Sequence, residues 1–507
     1  MLVLLVLLSC GWLRDDKPRA KPERAERPER ERADRAPERS SDRPNVLFIV
    51  WDTVRADHLG LYGYGRDTTP RLTAFAKDAA VYERAISSGV WTLPSHASMF
   101  TGLPPSAHGV SDRRKYLDDG FTTFAEVLER GGYATWAWST NPFIDDKTNM
   151  TQGFDTVEHP WSPAWRRDAD AMQKARGVDE ASTRNEKVHG TPWGYTNVGK
   201  LAGRALDAWL DQRRGEPWLA FVNLMEAHAT RSPILRARHE MMDDAAVARS
   251  LEIDQRTRQQ NAYGAGVVPW TPADLAVIQG VYDASLLEID HITGELLDGL
   301  RERGVLDDTL VILVADHGEM LGEKGLFGHQ LAIWSSLTHV PLVVRYPGHV
   351  APARITEPTS TASLFRLVIE QTGVPAPDAP GMDTSRHDLG AVTEYTEPMR
   401  STLKTLRAAN PSIDLTPFDQ AWSAIEVGGK KLVVGSTSGS RVYEVDRDPG
   451  EERATADAAE IAELAGRMER WRGTFTAFDH EHAAPVAAPI DEEGPAREAL
   501  RELGYVE

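Results

Sequence analysis

"PNVLFIVWD", Pro44 to Asp52, is an unbroken run of apolar and β-branched residues that ends in a carboxylate. A strand with one wet face alternates polar and apolar residues. A run without alternation suits a strand covered on both faces, as in a parallel sheet. Two further segments share the design: "PWLAFVNLMEAH", Pro217 to His228, and "TLVILVADHGE", Thr309 to Glu319. Around them lie helix-like stretches. One is "DGFTTFAEVLERGGY", which stops at glycine. Another is the long amphipathic "DLAVIQGVYDASLLEIDHITGELLDGLRERG", Asp274 to Gly304. Strands alternating with helices predict an α/β fold: a large, mostly parallel sheet flanked by helices.

Each of these strands delivers polar residues at its carboxyl end, where α/β sheets bind ligands. Asp52 follows the first, His228 follows the second by a few residues, and Asp316 and His317 follow the third. Two aspartates and a histidine suit a divalent cation that activates oxygen. Singly, an aspartate after a strand is more often a helix N-cap. Four such residues at the ends of three strands favour a site.

"GVWTLPSHASMFTG", Gly89 to Gly102, adds a hydroxyl. "PSHASMFT" predicts a short helix with proline near its first turn and glycine after its last. Thr92 then lies just before a helix N-terminus, where the dipole and free N–H groups favour an anion, either an alkoxide or a bound phosphate. The competing role is that Thr92 or Ser95 merely caps the helix.

Composition bounds the rest. The chain has 507 residues, 41% hydrophobic and 26% charged, enough for one large domain or two unequal ones. A net charge of -19 argues against a nucleic-acid partner and gives no general pull on anionic substrates. An anion must be captured locally. The one cysteine, Cys10, ends the apolar run "MLVLLVLLSC", and "LLSC" resembles a bacterial lipobox. Residues 1–12 therefore read as a lipoprotein-type signal segment. Residues 13–43, dense in both charges and in proline, read as a disordered tether. Together they imply an enzyme of the cell envelope, lipid-anchored to a bacterial membrane and facing outside the cytoplasm. No later run is apolar enough to span a bilayer.

The chain resembles the sulfatase family of the alkaline phosphatase superfamily. "NVLFIVWDTVRADHLGLYGY", "WTLPSHASMFTGLPPSAHGV", "YDASLLEIDHITGELL", "DHGEMLGEKGLFGH" and "THVPLVVRYPG" carry the likeness in family order. "KKLVVGSTSGSRVYEVDRDPGEE" resembles the small antiparallel subdomain that closes such folds. The resemblance implies a catalytic domain over 44–400 and a C-terminal subdomain with a helical tail over 401–507. Within the catalytic domain, 161–196 reads as an insertion and the best candidate for a specificity lid. It also implies roles. Asp52, Asp316 and His317 bind the metal, with Thr92 completing the site as nucleophile. His228 and His329 contact the oxygens of the transferred group or the leaving group. His96 stands where the family usually has an arginine. Two departures accompany it: Trp51 replaces a second acidic residue beside Asp52, and Asn141 is the substitute for a lysine that often holds sulfate. Asp57 reads as a helix-starting residue, His58 as a packed one, and Glu319 and Glu323 as loop or surface positions.

The family's "CxPxR" or "SxPxR" residue is oxidised to formylglycine. Here the segment is "TLPSH". Threonine carries a methyl on Cβ, so the same oxidation would give a ketone, and formylglycine is not expected. A threonine alkoxide beside a cation keeps another route, in-line attack on phosphorus through a covalent intermediate. The leading expectation is thus a metal-dependent hydrolase or transferase of phosphate or sulfate esters, phosphoester favoured. The first alternative is a sulfuric ester hydrolase working without formylglycine. The second is an inactive binding protein on a sulfatase scaffold. One divalent ion is expected. Oxygen ligands suit Mg, Mn or Ca, while the histidine and the threonine-nucleophile relatives keep Mn or Zn open.

Overall fold

The computed structural model describes residues 43–176, 195–213, 215–375, 389–455, 457–481 and 483. The signal segment and tether, the middle of the 161–196 insertion and the end of the helical tail lie outside the described residues.

The opening strand, Asn45–Trp51, runs through the middle of an eight-stranded sheet, and Val46 to Trp51 are completely buried. It pairs in parallel with Trp218–Leu224 on one side and Thr309–Ala315 on the other. Ala134–Ser139 and Thr156–Glu158 extend the parallel part. At the opposite edge Leu342–Arg345 runs antiparallel to Thr309–Ala315, and Ala80–Tyr82 and Ala353–Ile355 follow. The three quoted strands are therefore consecutive, which is why each is almost entirely apolar, Asn223 being the interior exception: both faces are covered. The fold is the alkaline phosphatase/sulfatase-like α/β architecture expected from the sequence.

The long helix spans Pro272–Glu302, with Thr271 and Asp274 forming a capping box at its start. It reaches the sheet's central strand end through two side chains. Trp51 Nε1 donates to Thr293 Oγ1 at 2.8 Å, and the Tyr282 hydroxyl donates to the Thr53 carbonyl at 2.8 Å. Trp51, in the place of an acidic residue, is thus a packing anchor.

A four-stranded antiparallel sheet, Ala391–Tyr395, Trp422–Val427, Lys430–Gly435 and Gly439–Glu444, forms the C-terminal part. Its first strand lies ahead of the boundary expected at residue 401. The helix Ala458–Arg472 supplies Leu464, Met468 and Trp471 to a separate small core with Val392, Ile425, Leu432 and Val442. At the start of the insertion, the helix Arg166–Arg176 is held by Trp165, whose indole donates to Glu158 Oε1 at 3.0 Å and packs edge-on against Trp138.

Candidate active site

Parallel pairing sets the two aspartates side by side. Trp51 is in register with Ala315, so Asp52 and Asp316 are the next residues on adjacent strands. Thr53 then turns the chain sharply, with φ of 60°, a left-handed conformation that a β-branched residue adopts only under strain. The turn aims the Thr53 N–H at Asp316 Oδ1, 3.2 Å away, and the His317 N–H donates to the same oxygen at 2.8 Å. Both aspartates spend their polar contacts here, and neither caps a helix.

Asp52, Asp316 and His317 are fully buried, and one ligand atom from each lies within 4.8 Å of the others. Each has an atom with no hydrogen-bond partner among the described residues: Asp52 Oδ1, Asp316 Oδ2 and His317 Nε2. Buried polar atoms without partners are rare and costly. Here three converge. The opposite atom of each residue is satisfied. Asn141 Nδ2 donates to Asp52 Oδ2 at 2.7 Å, and His317 Nδ1 donates to the Gly318 carbonyl at 2.9 Å. A backbone partner on Nδ1 fixes the tautomer that leaves the Nε2 lone pair available. Burial pushes the Asp52 carboxyl up to about 6 against the pull of the Asn141 amide. Burial, then the neighbouring Asp52, raises Asp316 well above the ordinary carboxylate value. Burial likewise lowers His317. Two dry carboxylates cannot both ionise easily without a nearby cation, so the donor set fits a divalent ion.

Thr92 is the first residue of the helix Thr92–Thr101, which starts two residues earlier than the sequence suggested, and Gly102 ends the helix in a left-handed turn. Trp91 occupies the N-cap with no side-chain cap bond, so neither Thr92 nor Ser95 serves as the cap. Thr92 Oγ1 instead accepts from Asn141 Nδ2 at 3.3 Å. One amide thus joins the hydroxyl to Asp52. Asn141 is held in turn by Ser139, whose hydroxyl accepts from the Asn141 N–H at 2.9 Å, and by the Phe143 N–H, which donates to Asn141 Oδ1 at 2.9 Å.

His96 donates from Nδ1 to the Thr92 carbonyl at 2.9 Å and lies 3.5 Å from Asp316 Oδ2. Burial pushes it down to about 4, so it is neutral near pH 7 and brings no charge like the family's arginine. His228 and His329 form a row with His317: the His317 and His329 rings are 4.4 Å apart, and those of His329 and His228 are 5.4 Å apart. Burial lowers His228 to about 3. Its Nδ1 donates to the Ala229 carbonyl at 2.5 Å.

Glu319 is a correction to the sequence reading. It is buried beneath His329 and paired with Arg231. No sequence pattern marks this pair; the one available hint is that Arg231 follows His228 by three residues. Glu323 is partly exposed and accepts from Arg55, as does the exposed Asp57. His58 is packed against Tyr282 and bonded to Asp283, as expected.

The family description "Sulfatase" matches residues 44–374, and the chain belongs to the sulfatase family. It is 22% identical over 365 residues to arylsulfatase K of Bos taurus, covering 66% of this chain and 64% of that protein. It is 23% identical to choline-sulfatase of Rhizobium meliloti, covering 66% and 69%. The chain thus spans about two thirds of the length of these relatives. Among solved structures it resembles the phosphonate monoester hydrolase of Agrobacterium radiobacter, with a TM-score of 0.62, 21% identity, and coverage of 85% of this chain and 95% of that one. The phosphonate monoester hydrolase of Silicibacter pomeroyi gives a TM-score of 0.63 at 22% identity, covering 86% and 96%. At these identities the structures speak for the fold.

Proposed function

We propose that this protein is a metal-dependent ester hydrolase that transfers a phosphoryl group to the unmodified hydroxyl of Thr92 and then to water. The observation that supports the reading is the shared Asn141 amide, which donates both to Thr92 Oγ1 and to Asp52, one of three clustered buried residues that each carry an unpartnered polar atom. Asp52, Asp316 and His317 would hold one divalent cation, whose charge favours the ionised threonine and the oxygens of the transferred group. Asn141 donates to Thr92 Oγ1 and steadies that oxygen as its proton leaves. The helix N-terminus behind Thr92 adds its partial positive charge. Attack forms the Oγ1–P bond and breaks the bond from phosphorus to the leaving group, which departs as the alcohol after taking up the proton that Thr92 gave up. Water then cleaves the Oγ1–P bond, releasing phosphate and restoring the hydroxyl. His228 and His329 face the same group, where they bind its oxygens or the leaving group.

A slow phosphodiester quenched in mid-turnover is expected to leave about 80 Da or a larger phosphoryl adduct on the peptide holding Thr92. Thr92→Ser keeps the hydroxyl and should retain measurable turnover, whereas Thr92→Ala should lose about a thousandfold or more. Parental turnover by Thr92→Ala would assign the attack to water. The names of the curated relatives favour a second reading, hydrolysis of sulfate esters by the same hydroxyl. Aryl phosphate, phosphodiester and aryl sulfate assayed side by side separate the two, and the sulfate should be the slowest. The location we propose, a lipid-anchored position in the cell envelope, is supported by the Cys10 segment and is tested by whether Cys10→Ser moves the protein from membranes to the soluble fraction.

A further inference from the structure

Glu319 takes no part in the reaction outlined above, yet it is only 1% exposed. A buried carboxylate is tolerated only when paired and hydrogen-bonded. Arg231 Nη2 donates to Glu319 Oε2 at 2.5 Å, and His329 Nδ1 lies 3.1 Å from Oε1. Arg231 is immobilised in its turn. Its Nε donates to the Ala227 carbonyl at 2.7 Å, and its guanidinium lies over the Tyr282 ring, 5.0 Å from the centroid. A buried line of contacts thus runs from Tyr282 through Arg231 and Glu319 and ends on His329, whose ring lies tilted against that of His317.

We propose that Glu319 is a positioning residue: it fixes the ring plane and tautomer of His329, so that Nδ1 carries the hydrogen and Nε2 is the atom turned toward the group being transferred. A carboxylate paired with arginine accepts hydrogen bonds and offers none, so the imidazole must donate from Nδ1. Without that acceptor the ring gains freedom to rotate and to exchange tautomers, and misalignment of a reacting group lowers rate without weakening ground-state binding. The role rests on the reading of the Thr92 site given above and assigns the geometry of one of its histidines.

The test uses the full chain loaded with cation, an aryl phosphate as probe, and nitrogen-15 spectroscopy of the histidine rings. The parent should show His329 as the Nδ1–H tautomer, and Glu319→Ala should show a mixture. Turnover by Glu319→Ala should fall on the order of 10–100-fold in kcat, with KM within about threefold of the parent. Glu319→Gln keeps an acceptor oxygen and should retain more activity than Glu319→Ala. Bound cation should be unchanged in both, since Glu319 is not one of the three ligand residues. A folded Glu319→Ala with parental kcat overturns the role, and so does an Nε2–H tautomer in the parent, a measurement that stands even if neither variant folds. If Thr92→Ala loses turnover while Glu319→Ala keeps it, the positioning role alone fails. If Thr92→Ala retains the parent's rate, the nucleophile reading fails whatever Glu319 does.

Discussion

Asp52 and Asp316 are held by long neighbouring strands of the main sheet, whereas His329 is held by a two-residue hairpin and by side chains, some of which reach it from distant parts of the chain. The aspartates follow consecutive positions of paired strands, so the main-chain register places them. His329 has a much smaller frame: it follows the two-residue strand Phe327–Gly328, whose antiparallel pairing with Met320–Leu321 sets it opposite Glu319. Its ring rests on Glu319. The next residue, Gln330, has its carbonyl bonded by the Tyr395 hydroxyl at 2.5 Å and its side chain bonded by Thr402. A few residues on, Lys431 donates to the Ile333 carbonyl at 2.8 Å and pairs with Glu451, which accepts the Ser335 N–H at 2.6 Å. The C-terminal sheet therefore contributes to the placement of His329 although it supplies no ligand. Register is robust, because no single side chain creates it. A clamp of individual hydrogen bonds can be weakened one bond at a time.

The largest effect should come from the register-held half. Asp316→Ala is expected to lose bound cation and about a thousandfold or more of turnover, as measured by metal analysis and steady-state kinetics, while keeping a cooperative melt. Retention of stoichiometric cation would remove Asp316 from the ligand set. Asn141→Ala breaks the bridge between Asp52 and Thr92 and should cost on the order of 10–100-fold in kcat, typical of a residue that orients a ligand. An effect as large as that of Asp316→Ala would make the amide part of the site's assembly; no effect would detach it from the nucleophile.

Protons offer a third way to probe the aspartates. Asp52 in the folded chain is raised from 3.8 to about 6, so the fold binds protons that the unfolded chain has already released. Such a group lends its stability in full below about pH 4 and loses it as pH rises through about 6. Cation replaces those protons. The gain in melting temperature on adding saturating cation should therefore grow between about pH 4 and pH 6. A gain that shrinks over that window would contradict the ligand assignment.

The smallest effect belongs to the clamp's outer edge. Tyr395→Phe keeps the ring but strands the Gln330 carbonyl and the Met399 N–H, which donates to the same hydroxyl at 2.6 Å. It should cost about 1–3 kcal/mol of stability, measured by urea melts. Its cost in kcat should be only a few-fold, because the Glu319 bond to the ring survives. A kcat loss matching that of Glu319→Ala would shift the main support of His329 to the C-terminal sheet.

Much of this was legible beforehand because the sequence states it locally. Uninterrupted apolar runs imply strands covered on both faces, and a carboxylate closing such a run lies at the end of the sheet where ligands bind. The expectation that Thr92 gives no formylglycine rests on its Cβ methyl alone, with no need of a fold. Other features exist only in three dimensions. Thr92 begins its helix instead of preceding it, because Trp91 takes the extended cap position. His96 holds the Thr92 carbonyl as a neutral ring, and burial, which depends on Phe100 and Phe221 packing around it, decides that. Glu319 looks like any loop glutamate until Arg231, 88 residues earlier in the chain, is folded against it. Sequence fixes what a residue can do through its own atoms and its immediate neighbours. Burial and distant partners decide which of those capacities is used, because desolvation and pairing energies belong to the assembled interior and to no single segment of the chain.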